Sequence, residues 1–187
     1  MKFNKFLQNI FKKFFQKLYL MLYGKIELYK TQGDDKFKKY KIDSIKLNNK
    51  NFAINKHIYE IKSARVYTDS VNHVAIIKNN LLLPDVSYQQ VLGELKSGKF
   101  NRTIEIGTPR ILKKIEGTVL SLAQGVSGEN YFHFLFDILT KLKICEQKFS
   151  LDTIDYFYVS ANIKWQKIIF SFFEINESQL IDSKTHR

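Results

Sequence analysis

A single cysteine, Cys145, stands among the 187 residues. One thiol closes no internal disulfide, so no disulfide framework holds the chain, and such usage suits a reducing compartment. Cys145 falls at the edge of an apolar helical arc and reads as packing rather than as a nucleophile. Prolines number two, Pro84 and Pro109, and no low-complexity segment or internal repeat is visible. No apolar run is long and uninterrupted enough to cross a bilayer, and no small-residue cleavage site marks a secretory signal. The four histidines, His57, His73, His133 and His186, are scattered. With no H-x-x-x-H or C-x-x-C spacing, nothing points to a metal. There is no P-loop and no GxGxxG, so no cofactor is implied. The run Gly125 to Gly128 lacks the spacing of a serine nucleophile elbow.

Acids are also short, 18 against 30 basic residues, for a net charge of +12. Such a balance raises nucleic acid as a partner, but the distribution speaks against it. Lys2, Lys5, Lys12, Lys13, Lys17 and Lys25 supply half of the excess within the first 25 residues, where no acid occurs. No nucleic-acid motif with interleaved aromatics follows. Arg102 and Arg110 are available to an anion, although loop arginines are commonly just solvated.

What is present is a chain long enough for one domain with a real core, 44% hydrophobic with 16 Phe and 10 Tyr. Residues 2–23 read as a basic amphipathic helix. Phe3, Phe6, Leu7, Ile10, Phe11, Phe14, Leu18 and Met21 recur at three- and four-residue steps among lysines, and Gly24 ends it. This pattern suits a helix lying in an anionic membrane interface. The alternative is a helix docked on its own domain or on a partner.

Residues 30–41 read as a polar linker, within a connecting region drawn at 26–43. From about Ser44 the period shortens to β-rich runs: Phe52 to Ile61, Ala64 to Tyr67, His73 to Ile77, and Leu81 to Val86 after a turn at Lys78-Asn79-Asn80. Ser87 to Leu95 reads as a short helix or loop, Gly98 to Pro109 as loop, and Thr118 to Leu122 as a strand. Farther on, Asp155 to Ser160 predicts a buried strand. Asn162 caps a helix from Ile163 to Glu174 with Trp165, Ile168, Ile169 and Phe172 inward, and Ser178 to Ile181 is another strand. Strand, helix and strand joined so closely imply a parallel sheet with a right-handed crossover, hence an α/β fold.

Between them, Ser127 to Phe149 predicts a helix entered through the glycine-bearing run 125–128 and capped by Ser127 or Asn130. At about 100° per residue, Phe132, Leu135, Phe136, Leu139 and Leu142 form the core arc. Asn130, His133, Asp137 and Lys141 fall on a stripe opposite. The plain explanation is a solvated face with an i, i+4 pair worth about 0.3 kcal/mol. The glycine-bearing entry instead favours an anion at the helix N-terminus.

The run N-Y-F-H-F-L-F-D-I-L-T-K-L at 130–142 resembles the N-Y-x-H-W-x-x-D-x-L-P-R-L signature of the family 61 glycosyltransferases, which include many capsular polysaccharide enzymes. A-R-V-Y-T-D (64–69), V-A-I-I-K-N-N-L-L-L-P-D-V-S-Y-Q (74–89), G-T-V-L-S-L (117–122) and D-Y-F-Y-V-S (155–160) follow the family's order, so the resemblance covers roughly 60–187. Asn130, His133 and Asp137 match. Phe134 stands where the family has Trp, Thr140 where it has Pro, and Lys141 where it has Arg.

The resemblance implies a GT-B-like fold of which 44–187 is the N-terminal, acceptor-side domain, incomplete at its C-terminus. A second Rossmann-like domain, possible in trans, is expected to hold most of the nucleotide-sugar. The implied reaction is inverting transfer of a sugar from a nucleotide-sugar to a hydroxyl of a glycan acceptor, at the inner face of the cell membrane. The chain alone is then expected to be inactive. His133 and Asp137 are the catalytic candidates, with either the imidazole or the carboxylate as base. Asn130, Gly128 and Lys141 are the substrate-binding candidates. A non-catalytic peripheral membrane or partner-binding module, derived from such a domain, is the alternative.

Overall fold

The computed structural model describes residues 2–30, 37–47, 50–69, 72–124, 130–160 and 163–185. The fold is mixed α/β. Helix α1 (Lys2–Tyr23) leads. Gly24, at φ 78°, donates its N–H to Leu20 and ends it as predicted. The short strand β1 (Glu27–Leu28) then enters a six-stranded sheet beside β6 (Leu81–Leu82).

The connecting region at 26–43 is therefore not simply a linker. Besides β1, it contains the start of β2 (Lys38–Leu47), which pairs antiparallel with β3 (Lys50–Glu60). This two-stranded ribbon has its own register break between Ile42 and Ser44. Lysines on its solvent-facing positions disguise it as polar chain, while Ile42 and Ile45 are buried. The ribbon leans on the turn that follows the 131–146 helix through Tyr40, whose ring meets Phe149 edge-on at 5.3 Å.

The six-stranded sheet is completed by β4 (Arg65–Thr68), β5 (His73–Lys78), β7 (Tyr88–Val91) and β8 (Glu94–Ser97). Asn79 and Asn80 both take positive φ, the requirement of a two-residue hairpin turn, and join β5 to β6. The run predicted as strand to Val86 stops at Leu82, two residues before Pro84. The segment 87–95, expected to be helix or loop, instead holds β7 and the start of β8. Leu92 and Gly93 make its turn, both at positive φ. Within the predicted loop 98–109 lie a 3-10 turn (Gly98–Phe100) and helix α2 (Thr103–Ile106).

Three strands then form a separate parallel sheet: β9 (Val119–Ser121), β10 (Tyr156–Val159) and β11 (Leu180–Asp182), with β10 central. This is the parallel sheet the short strand–helix–strand spacing requires. Between β9 and β10 runs a continuous helical stretch: α3 (Tyr131–His133), a π segment (Phe134–Leu139) and α4 (Thr140–Glu146). Helix α5 (Lys164–Ser171) links β10 to β11.

Alternation along the strands sorts the core into layers. Leu122, Phe157 and Val159 pack against both helices, with Phe134, Ile138, Leu142 and Phe170. Tyr158, Ala123 and Ile181 face the other way, onto Val74 and Ile76 of β5. Ala75 and Ile77 of β5 cover the far side with Ile26, Tyr67 and Leu82. Helices, parallel sheet and mixed sheet thus stack in order.

Both predicted helix faces need correction. Phe132 and Phe136 are 60% and 59% exposed, while Phe134 is sealed at 0%. The π segment bonds i to i+5 and widens the turn, but even at 100° per residue Phe134, Ile138, Leu142 and Cys145 fall within about 80° of one another; the buried face is an arc beside the predicted one, with Leu142 common to both. In α5 and the turn after it, Ile168 and Phe172 face out, and Phe170 and Phe173 take the inner positions beside Trp165 and Ile169.

Candidate functional site

In open parallel sheets, ligands sit beyond the carboxyl ends of the strands, beside the starts of the following helices. That edge carries the residues singled out in the sequence. Asn130 caps α3: its side-chain oxygen accepts the N–H of His133 at 3.3 Å. One turn on, His133 Nδ1 lies 2.9 Å from Asp137 Oδ2. The two side chains are 36% and 27% exposed, so the pair is open to solvent on one side without being fully solvated. With Nδ1 engaged by the carboxylate, Nε2 is left to meet a substrate. The π segment that contains Asp137 is a local widening of the kind often found at functional sites.

Aromatic rings frame the pair. Phe132 meets His133 edge-on at 5.7 Å and Phe136 at 4.5 Å, with both phenyl rings largely exposed. Tyr131 meets Trp165 at 5.1 Å, which brings the start of α5 against the start of α3. Below them, Phe134 meets Trp165 at 4.9 Å and Phe170 at 5.4 Å, both edge-on, and anchors the helix.

Lys141 continues the stripe but turns inward. Its ammonium donates to the Ala123 carbonyl at 3.2 Å and lies 5.3 Å from the centre of the Tyr88 ring, bridging the two sheets. Burial pulls its pKa down to about 8, against a smaller upward pull from the Asp137 carboxylate. Gly128, Ser127 and the predicted cap Asn162 lie outside the described residues. The structure therefore brings Asn130, His133 and Asp137 together and gives Lys141 a bridging contact.

Cys145 is buried and its thiol is pushed up to about 11, by burial first and the Glu146 charge second. That environment is the opposite of a nucleophile's. A second imidazole–carboxylate pair went unnoticed in the sequence. His73, 1% exposed, has Nδ1 3.1 Å from Asp69 Oδ2. Burial pushes the Asp69 carboxyl up, but hydrogen bonds from the His73 ring and from the His73 and Asn72 backbone outweigh it, holding the pKa below the usual range. With the imidazole buried at the start of β5 and Asp69 just past the end of β4, that pair ties the two strand ends together.

Two cavities lie elsewhere, of about 650 and 490 Å³, and none of Asn130, His133, Asp137 or Lys141 lines either. Among the described residues no three His, Cys, Asp or Glu side chains gather to hold a metal ion, and no helix is long and apolar enough to cross a membrane. Fold and site define a class only: a mixed α/β protein with a half-open His–Asp pair on the first turns of a helix that follows a parallel strand. Compared with family models, curated proteins and solved structures, the chain matches none.

Proposed function

We propose that this chain is the acceptor-side portion of a GT-B-like inverting glycosyltransferase, acting in surface polysaccharide synthesis at the inner face of the cell membrane. The observation that carries the reading is the 2.9 Å His133–Asp137 pair, half open at the start of its helix. In-line displacement at a sugar carbon needs a base that takes the acceptor hydroxyl's proton as the new bond forms. Asp137 orients the imidazole through Nδ1 and offsets the charge it gains; Nε2 takes the proton. The exposed faces of Phe132 and Phe136 offer apolar surface to a sugar ring. The nucleotide diphosphate leaves from a second Rossmann-like domain, in the manner of the family the 130–142 run resembles.

The test is label transfer from each nucleotide-sugar in turn, in a native membrane fraction that carries this chain together with the second domain. His133→Ala and Asp137→Asn each lower the initial rate by about 100-fold or more, the scale of general base catalysis. Unchanged rates in both variants remove the pair from the chemistry.

A second reading is favoured by one observation. Residues 5–15 of α1 are exposed throughout, with Phe6, Phe11 and Phe14 each at least 60% bare beside Lys5, Lys12 and Lys13. A peripheral membrane module without turnover needs that helix and no base. No label transfer above a fraction lacking the protein, from any donor, decides for it.

A further inference from the structure

The larger cavity opens between β4 and the β9–β10 face, under the irregular segment 108–117. Its lining holds Arg65, Arg110, Lys113 and Lys114 against one carboxylate, Glu116, which Lys114 already pairs at 2.5 Å. The smaller cavity continues it past Arg110 and Lys113 to Lys184 and the α1 side chains Phe15 and Tyr19, and no acid lines it. Cations gathered on a concave wall repel one another and lose hydration, an arrangement that an anion relieves.

Arg65 is held in place. The Arg65 guanidinium, half buried, donates to Asn80 Oδ1 at 2.9 Å and lies 5.9 Å over the Tyr23 ring. Burial lowers its pKa from the ordinary arginine value and the Tyr23 charge opposes this, yet a guanidinium stays protonated. Tyr23 in turn accepts the Leu112 N–H at 3.1 Å, tethering the segment above the cavity to α1. Thr108 is the independent sign. It lines the cavity, is 6% exposed, and its Oγ1 has no hydrogen-bond partner among the described residues. An unmet buried hydroxyl is a standing cost that a ligand oxygen removes.

We propose that this cleft binds the phosphate end of an organic phosphate ester: Arg65, Arg110 and Lys113 supply the charge, Thr108 Oγ1 a hydrogen bond, and Val66, Ile111 and Tyr158 a wall for the organic part. Several cations around one pocket suit a multiply charged phosphate better than a single carboxylate. A cavity of about 650 Å³ admits an ester of nucleotide or short-lipid size. The ester comes from a lipid headgroup or from a soluble phosphate, and the chemistry is shared. The proposal does not depend on the sugar-transfer reading, because its test reads binding and not turnover.

The experiment is titration calorimetry on the full chain with two probes, inorganic diphosphate and monomeric dihexanoyl phosphatidate. Three variants are compared: R110A/K113A, T108V, and K12A/K13A as a charge-matched control on the free part of α1. One site per chain is expected. R110A/K113A weakens binding about tenfold or more, the scale of lost charge-assisted hydrogen bonds, and K12A/K13A leaves it unchanged. T108V weakens binding while its melting temperature stays level or rises, since an unpartnered hydroxyl is gone. Tighter binding of phosphatidate names the lipid source, and equal or tighter binding of diphosphate the soluble one. Absence of saturable binding by both probes, or equal affinities in R110A/K113A, T108V and the control, overturns the proposal. If R110A/K113A melts early, T108V alone decides.

Discussion

Replacing Phe134 by alanine tests the inward face of the 131–146 helix directly. The ring is 0% exposed and meets Trp165 and Phe170 edge-on at 4.9 and 5.4 Å. Truncating a phenylalanine so enclosed costs about 3–5 kcal/mol in lost transfer energy and cavity formation. For a chain of this size, about 2–4 °C per kcal/mol follows, so the melting temperature falls by roughly 6–20 °C. Phe132→Ala and Phe136→Ala remove rings that are 60% and 59% exposed and touch each other; each costs about 1 kcal/mol or less. Urea unfolding is followed by the fluorescence of Trp165, the sole tryptophan, which reports from the contact itself. A Phe136→Ala variant that loses more stability than Phe134→Ala refutes the register, and with it the placement of His133 at the surface.

Lys141 titrates at about 8 in the fold against 10.5 for an ordinary lysine. Between those values the unfolded chain binds more protons, so stability rises with pH across that window. Lys141→Met flattens the rise, as urea midpoints between about pH 7 and pH 10 measure; parallel pH profiles contradict the inward placement. Cys145, its thiol raised to about 11, resists a thiol reagent in the native protein at about pH 8 and reacts at once in denaturant; prompt native labelling goes against its burial. The full chain floats with anionic vesicles and a chain beginning at Lys17 does not, since each lysine near such a surface adds about 1 kcal/mol; equal flotation ends the membrane role of α1.

Much of this was legible where a period is strict and one-sided. The lysine-spaced aromatics gave α1, and the apolar run of β10 gave the buried strand, because β10 is covered on both faces. The i, i+4 spacing of His133 and Asp137 survived a change of helix type, since both wide and normal turns keep those positions adjacent. The inward face was misplaced for another reason: at 100° per residue Phe134 and Phe136 lie about 160° apart, and each sits among other apolar residues, so the pattern alone does not choose between the two arcs. The β2–β3 ribbon escaped because a two-stranded sheet buries little and reads polar. The Leu92–Gly93 turn escaped because only its second residue is a usual turn former. Arg65, Thr108, Arg110 and Tyr158 were invisible as a group, since only tertiary packing gathers residues so far apart in the chain.

The π segment also makes angular phase a matter of chain length. Its extra residue per turn acts as a spacer between the His133 end of the rod, at the open edge, and the Leu142–Cys145 end, locked in the core. Deleting one residue there, leaving a plain α-helix, removes that extra residue and keeps the two ends in phase. Deleting one from the α turns on either side has no such slack: it would swing the first turns by about 100° relative to the last, and the imidazole would point somewhere else. The wide segment therefore tolerates a change of length that its neighbours do not.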